Sequence, residues 1–150
     1  MALETTTVPL ADGSLLRDQA YIGGRWCDAD DGRTFAVGNP ATGGMLATVP
    51  RMGPTETRHA IEAAAEAFPG WRDRPAAERA ALLRRMRDLM IEHRDDLALL
   101  LTLEQGKPLA ESQAEIAYAA AFLEWFGEEA KRVYGDTTVS YTHLTLPTKA

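Results

Sequence analysis

The sequence predicts an α+β chain as it stands: an N-terminal β-hairpin and meander, then four helices. Three observations predict it. Up to Val49, short runs rich in β-branched and aromatic residues alternate with turns rich in Gly, Asn and Pro. From Pro54 the apolar period changes from two to 3.6. Strands come first and no strand intervenes between the helices, which is α+β order.

Residues 1–17 are polar and irregular and read as a flexible N-terminal arm. Ala20-Tyr21-Ile22 and Arg25-Trp26-Cys27 flank Gly23-Gly24, the signal for a tight hairpin turn with positive φ at its centre. Asp28 to Arg33 is a loop, and Thr34 to Val37 reads as a strand. Asn39-Pro40-Ala41-Thr42-Gly43 is turn chemistry: Asn starts the turn with its side chain, Pro presets φ, and Gly takes the left-handed position. Leu46 to Val49 is the partner strand. These strands make a small meander, too small to be a core alone.

Pro54 suits the first position of a helix. Ala60, Ile61, Ala64 and Phe68 mark the buried side of that helix, and Pro69-Gly70 stops it. Pro75 opens a second helix, with Leu82, Leu83, Met86, Leu89 and Met90 at helical spacing. His93 to Asp96 is a break. Leu97, Leu100 and Leu101 mark a short third helix that Gly106 ends in a left-handed position, with Pro108 unable to continue the ladder. The fourth helix then runs from about Leu109 to Tyr134, closed by Gly135, a span of roughly 40 Å.

That last helix is apolar nearly all round. Ile116, Ala119, Ala120, Leu123 and Ala130 form one stripe. Tyr118, Phe122 and Trp125 form another on roughly the opposite side, and the polar sector of Gln113, Glu124, Glu128 and Lys131 is narrow. Such a helix is expected to be buried, and a chain of 150 residues does not obviously supply the partners.

Composition excludes several classes of function. Hydrophobic residues at 45% and charged residues at 25% are those of an ordinary globular protein. A net charge of −6 argues against a nucleic-acid surface, which needs clustered excess Lys and Arg. The basic run of Arg84, Arg85 and Arg87 is interleaved with acids and reads as a solvated helix face. No apolar run approaches the ~20 residues of a membrane span, so no membrane partner is expected. The first residues show neither the basic start nor the apolar block of a signal peptide. A single cysteine excludes an internal disulfide and fits a reducing compartment, so the expected location is the cytoplasm.

No complete active site stands in these residues. Gly23-Gly24 and Gly43-Gly44 lack both the spacing of a phosphate-binding loop and a following helix. His59, His93 and His143 have no i, i+4 pairing and no Cys partner, so no metal site is expected. Glu128 and Glu129 are adjacent and point in different directions, unable to act as an acid–base pair. Cys27 sits at the end of a hairpin strand with no His nearby in sequence, so it reads as a small half-buried residue rather than an activated thiolate. Glu104 and Lys107 are placed to form an ion pair at a helix C-terminus.

The order of these pieces resembles a known family. Tyr21-Ile22-Gly23-Gly24-Arg25-Trp26, followed by Asn39-Pro40-Ala41-Thr42-Gly43, looks like the opening of the aldehyde dehydrogenase superfamily. The helix ending in Trp71, the Arg79 to Met90 helix, and Leu103-Glu104-Gln105-Gly106-Lys107-Pro108-Leu109-Ala110-Glu111 continue in the same order. The run from Ala114 to Asp136 is similar to the succinate-semialdehyde dehydrogenase branch. The resemblance covers about residues 15–137, the first third or less of a family member. It implies the N-terminal part of an α/β aldehyde dehydrogenase fold, with strands in 20–50 and helices in 54–135.

The resemblance also implies chemistry that this stretch does not carry. In the family a cysteine thiolate attacks the aldehyde, hydride passes to NAD or NADP, and a glutamate activates water; an asparagine and a backbone N–H stabilise the oxyanion. Those residues lie beyond the stretch of resemblance, and Cys27 does not match the family nucleophile. NAD or NADP is therefore expected for the full-length family and not for this chain by itself. A small aldehyde, succinate semialdehyde above all, is the implied substrate, and a homo-oligomer the implied full-length assembly, with the hairpin strands near its oligomerisation region. The helix matching Glu111 to Tyr134 borders the substrate tunnel in the family, which makes Tyr118, Phe122 and Trp125 expected tunnel-wall residues. The alternative for that stripe is plain core packing.

Residues 138–150 depart from the family pattern and read as a non-family tail of artefactual origin, with truncation as the expected reason for the missing site. Two alternatives stand beside the succinate-semialdehyde assignment. One is an aldehyde dehydrogenase for another aldehyde; the other is a non-catalytic helical interaction module that docks a partner on its apolar helix.

Overall fold

The computed structural model describes residues 8–133. The tail at 138–150, Tyr134, Gly135 and the first seven residues of the arm lie outside them. The α+β expectation holds: four short strands precede four helices. The strands are β1 (Ala20–Ile22), β2 (Arg25–Cys27), β3 (Thr34–Gly38) and β4 (Met45–Pro50). The helices are α1 (Pro54–Arg72), α2 (Ala76–Glu92), α3 (Arg94–Gln105) and α4 (Leu109–Glu129).

The meander is in fact two separate antiparallel pairs, β1 with β2 and β3 with β4. Gly23 and Gly24 take φ of 58° and 81°, so the two-residue turn sets Tyr21 opposite Trp26. A folded loop separates the two pairs. Asp31 folds it by accepting from the Arg33 backbone N–H at 2.9 Å, while the Asp30 N–H is drawn to Glu56 Oε1 at 3.1 Å. β3 follows this loop and pairs with β4, with no ladder to β2. In the second pair Asn39 is buried, accepts from the Ala41 N–H at 2.9 Å and organises the turn as expected.

The described part of the arm is anchored. Asp12 caps a short 3₁₀ turn at Gly13–Leu15, and the Ala11 and Asp12 N–H groups donate to the Asp96 carboxylate at 2.8 and 2.9 Å. Arg17 lies over the Trp26 ring, 5.2 Å from its centroid.

Three helix boundaries differ from the sequence expectation. Pro69-Gly70 does not stop α1; the helix continues to Arg72, and the Asp73 N–H closes on the Pro69 carbonyl at 3.0 Å. In the last turn a proline removes a single N–H donor while its own carbonyl still accepts. The break at His93–Asp96 shrinks to His93 alone, with α3 starting at Arg94. α4 ends at Glu129 and not at Tyr134. The Lys131 and Arg132 N–H groups bond to the carbonyls of Glu128 and Glu129, three residues back, so the helix tightens and ends without needing glycine. Its 21 residues span roughly 31 Å. Gly106 does end α3, at φ 81°. Pro40 of the β3–β4 turn rests against it, its Cγ 3.0 Å from where a Cβ would stand, so two of the sequence landmarks meet in space.

The core is narrow. Among the described residues the buried apolar side chains are Ala29, Leu46, Ala80, Ala98 and Ala120. α4 packs on α2 and α3 through small residues: Ser112, Ala120 and Gly127 from α4, Ala80 from α2 and Ala98 from α3. Small side chains let helix axes approach closely. Several larger apolar residues are left outside. Ile61 and Phe68 of α1, expected to mark a buried side along with its alanines, are exposed, as are Trp71 of the same helix and Leu82, Met86 and Leu89 of α2.

Candidate functional site: an aromatic wall on the fourth helix

α4 is not buried all round. Its small-residue side meets α2 and α3, whereas Tyr118, Phe122, Trp125 and Phe126 remain 67%, 46%, 64% and 56% exposed. The expected second stripe is therefore real, and it is not core within the described residues. The rings order one another: Tyr118 meets Phe122 edge to face at 4.8 Å, and Phe122 stacks on Phe126 at 6.1 Å with 19° between planes. With Ala121 they line an open apolar hollow of about 360 Å³. Phe126 was missing from the expected wall. Its signal was present, since it stands four residues from Phe122 and eight from Tyr118 on one helical face.

The polar side of α4 is ion-paired to α2 and still open to solvent. Arg87 bridges Asp88 at 2.7 Å and Glu124 at 2.8 Å, and Arg84 reaches Glu128 at 3.0 Å. The basic run is the solvated face expected, with Arg84 and Arg85 exposed and Arg87 half-buried, and it also supplies two ion pairs between helices. Glu128 also pairs with Lys131 at 2.6 Å, while Glu129 turns to Arg132 at 3.0 Å, so the adjacent acids diverge as expected. Lys107 does not pair with Glu104. It binds Glu115 on α4, because the chain turns at Gly106 and carries Lys107 toward the new helix.

Cys27 is half-buried and its thiol donates to the Ala20 carbonyl across the hairpin at 3.4 Å. The fold does bring His59 into the lining of the same hollow, about 410 Å³, with Trp26, Asp30 and Glu56, a proximity that 32 positions of separation hide in the sequence. Among the described residues no group of three or more His, Cys, Asp or Glu side chains is placed to hold a metal ion. No described helix is long and apolar enough to cross a membrane.

Glu56 controls the start of α1. Its carboxylate accepts from the Gly53 N–H at 2.9 Å and from the Asp30 N–H at 3.1 Å. These backbone donors, its own N–H first, hold its pKa below the ordinary 4.5 against the opposing effect of burial. Glu128 is lowered too, by hydrogen bonds from Lys131 first and then Arg84. Both groups have folded-state pKa values below the unfolded ones. Their stabilisation is present above the unfolded value and lost as pH falls through the lowered folded values. The thermal midpoint is expected to stay level from pH 7 to about 5 and to fall steeply below about 4.5. Glu56→Gln starts lower at neutral pH and loses less on acidification; a thermal melt series across pH reads both.

Two strand pairs followed by four helices match the N-terminal part of the aldehyde dehydrogenase fold, as in the superposition on the crystal structure of an Escherichia coli NADP-dependent enzyme. The chain belongs to the aldehyde dehydrogenase family, whose model matches residues 26–149. It is 65% identical over 128 residues to glutarate-semialdehyde dehydrogenase of Pseudomonas aeruginosa, covering 85% of this chain and 26% of that protein. It is 59% identical over 128 residues to succinate-semialdehyde dehydrogenase [NADP(+)] of Escherichia coli, covering 85% of this chain and 27% of the other. The crystal structure of succinate-semialdehyde dehydrogenase from Burkholderia pseudomallei superposes with a TM-score of 0.84 at 62% identity, covering 87% of this chain and 27% of that one. The chain thus spans about a quarter of the length of the relatives it matches.

The family is NAD(P)-dependent. The junction of β4 and α1 does not suit a phosphate. Where β4 leads into α1, the helix N-terminus that could hold a phosphate already faces the Glu56 carboxylate, which takes the Gly53 N–H. A second anion there would meet like charge.

Proposed function

We infer that the chain is the N-terminal part of an NAD(P)-dependent semialdehyde dehydrogenase acting on a four- or five-carbon acid semialdehyde, succinate semialdehyde first. Tyr118, Phe122 and Trp125, joined by Phe126, are the wall past which the aldehyde reaches the reaction centre. The nucleophile, the water-activating acid and the coenzyme pocket belong to the part of the fold that these residues do not include. The observation that carries this reading is the ordered, uncovered aromatic face of α4 in a chain so similar to semialdehyde dehydrogenases. Apolar walls of this kind exclude water and hold a short alkyl chain. A cytoplasmic location fits the single cysteine. Family membership favours this over a free-standing helical interaction module. An enzyme for another aldehyde is the second reading, since the names of the two relatives already differ in substrate.

Two assays test it. The purified 150-residue chain is expected to show no reduction of NAD or NADP with succinate or glutarate semialdehyde, and measurable turnover would refute the absence of the chemistry. Fused ahead of the remaining three-quarters of the Pseudomonas aeruginosa relative, residues 1–137 of the chain are expected to give an active dehydrogenase. In that fusion Phe122→Ala raises KM for the semialdehyde about tenfold while kcat holds, the mark of lost substrate binding shared by ground and transition states. An unchanged KM would remove the wall from the substrate path.

A further inference from the structure

The seam that holds α4 has an unusual consequence for how its wall is aimed. Ser112, Ala120 and Gly127 face Ala80 and Ala98, so the fully buried centre of the contact is made of small residues, with Leu83, Ile116 and Leu123 half-buried beside it. Small residues permit close approach and interlock less than large ones would. What sets the remaining rotational freedom must lie at the edge of the seam.

The crossed ion pairs are placed to do so. Arg84 and Arg87 lie one turn apart on α2, and Glu128 and Glu124 one turn apart on α4, matched in antiparallel order. At 100° per residue, Glu124 and Glu128 stand about 120° to 160° around the helix from Phe122. A slide of α4 by one turn, or a rotation by a third of one, breaks both bridges and carries the aromatic rings with it. Of the two cations Arg87 is the less exposed, at 33%, and its second nitrogen is braced by Asp88. These neighbours hold its guanidinium pKa above its ordinary value, the Asp88 hydrogen bond first and the Glu124 charge next.

We propose that Arg87 is a positioning residue for the substrate path: through Glu124 it fixes the rotation of α4 and so the place of Tyr118 and Phe122 in the wall. This rests on the function assigned above. The pair contributes little to stability, as exposed ion pairs generally do. Its effect is directional, and it acts on where the rings stand.

The test uses the active fusion enzyme. Arg87→Met is expected to raise KM for succinate semialdehyde about fivefold with kcat within twofold. KM for the coenzyme and the thermal midpoint stay close to the parent's. The exchange Arg87→Glu with Glu124→Arg rebuilds the bridge with its ends swapped and returns KM to within about twofold of the parent. A residue needed only for folding would lower the midpoint and would not be rescued through a substrate KM. If Phe122→Ala raises KM and Arg87→Met does not, the positioning role is overturned and the wall stands. A swapped pair that fails to restore KM overturns the role in the same way. If neither substitution moves KM, the wall itself falls, and the role of Arg87 with it.

Discussion

Replacing Gly127 by leucine is expected to destabilise the chain by about 1–3 kcal/mol, the cost of forcing extra methylenes into a packed seam. A Cβ on Gly127 would stand 3.6 Å from both the Ala80 carbonyl oxygen and the Leu83 Cβ, which is ordinary contact. Alanine therefore fits, and it gains up to about 1 kcal/mol in helix propensity over glycine. Leucine has no free direction, because α2 lies directly across the seam. Urea unfolding of the two variants reads the contrast. If leucine is tolerated as well as alanine, α4 does not seat on α2 as described. The same loss is expected in the fusion enzyme, since the seam lies away from the wall.

Thr102→Val is expected to cost about 1–3 kcal/mol through a single hydroxyl. Ser112 is fully buried on α4, and its Oγ accepts from Thr102 Oγ1 of α3 at 2.9 Å. Valine keeps the shape of threonine and removes the donor, leaving the serine oxygen in an apolar seam with less to bond. Ser112→Ala removes the other half. The double variant is expected to be more stable than the sum of the two single losses predicts, because replacing both partners removes the unsatisfied group. A double-mutant cycle by denaturant unfolding measures the coupling, which is expected to be at least about 0.5 kcal/mol. Strict additivity would mean that the two hydroxyls do not depend on each other.

Local chemistry was legible wherever one residue type has one conformational solution. Gly23-Gly24 made the tight turn, Asn39 organised the β3–β4 loop, and Gly106 ended α3 in the left-handed region. Helical spacing placed Tyr118, Phe122 and Trp125 on one face, which the structure confirms. Other features depend on contacts between distant parts of the chain. Whether Arg84 and Arg87 face water alone or also pair with a neighbouring helix depends on acids some forty positions away, and Lys107 chose Glu115 over Glu104 because of a turn between helices. Pro69 looked like a stop, yet whether a late proline ends a helix depends on which carbonyls and N–H groups remain to be paired.

By itself the sequence determined the order of strands and helices, the positions of its glycine turns and the family resemblance, because each is written in short runs whose chemistry is local. Only the tertiary structure decided that the strands part into two pairs, that small residues form the seam, and that the aromatic side of α4 is left open. The physical reason is competition. A helix with two apolar sides can bury either, and the alanines, serine and glycine let α2 and α3 come closer than the aromatic rings would allow, so the rings were left outside.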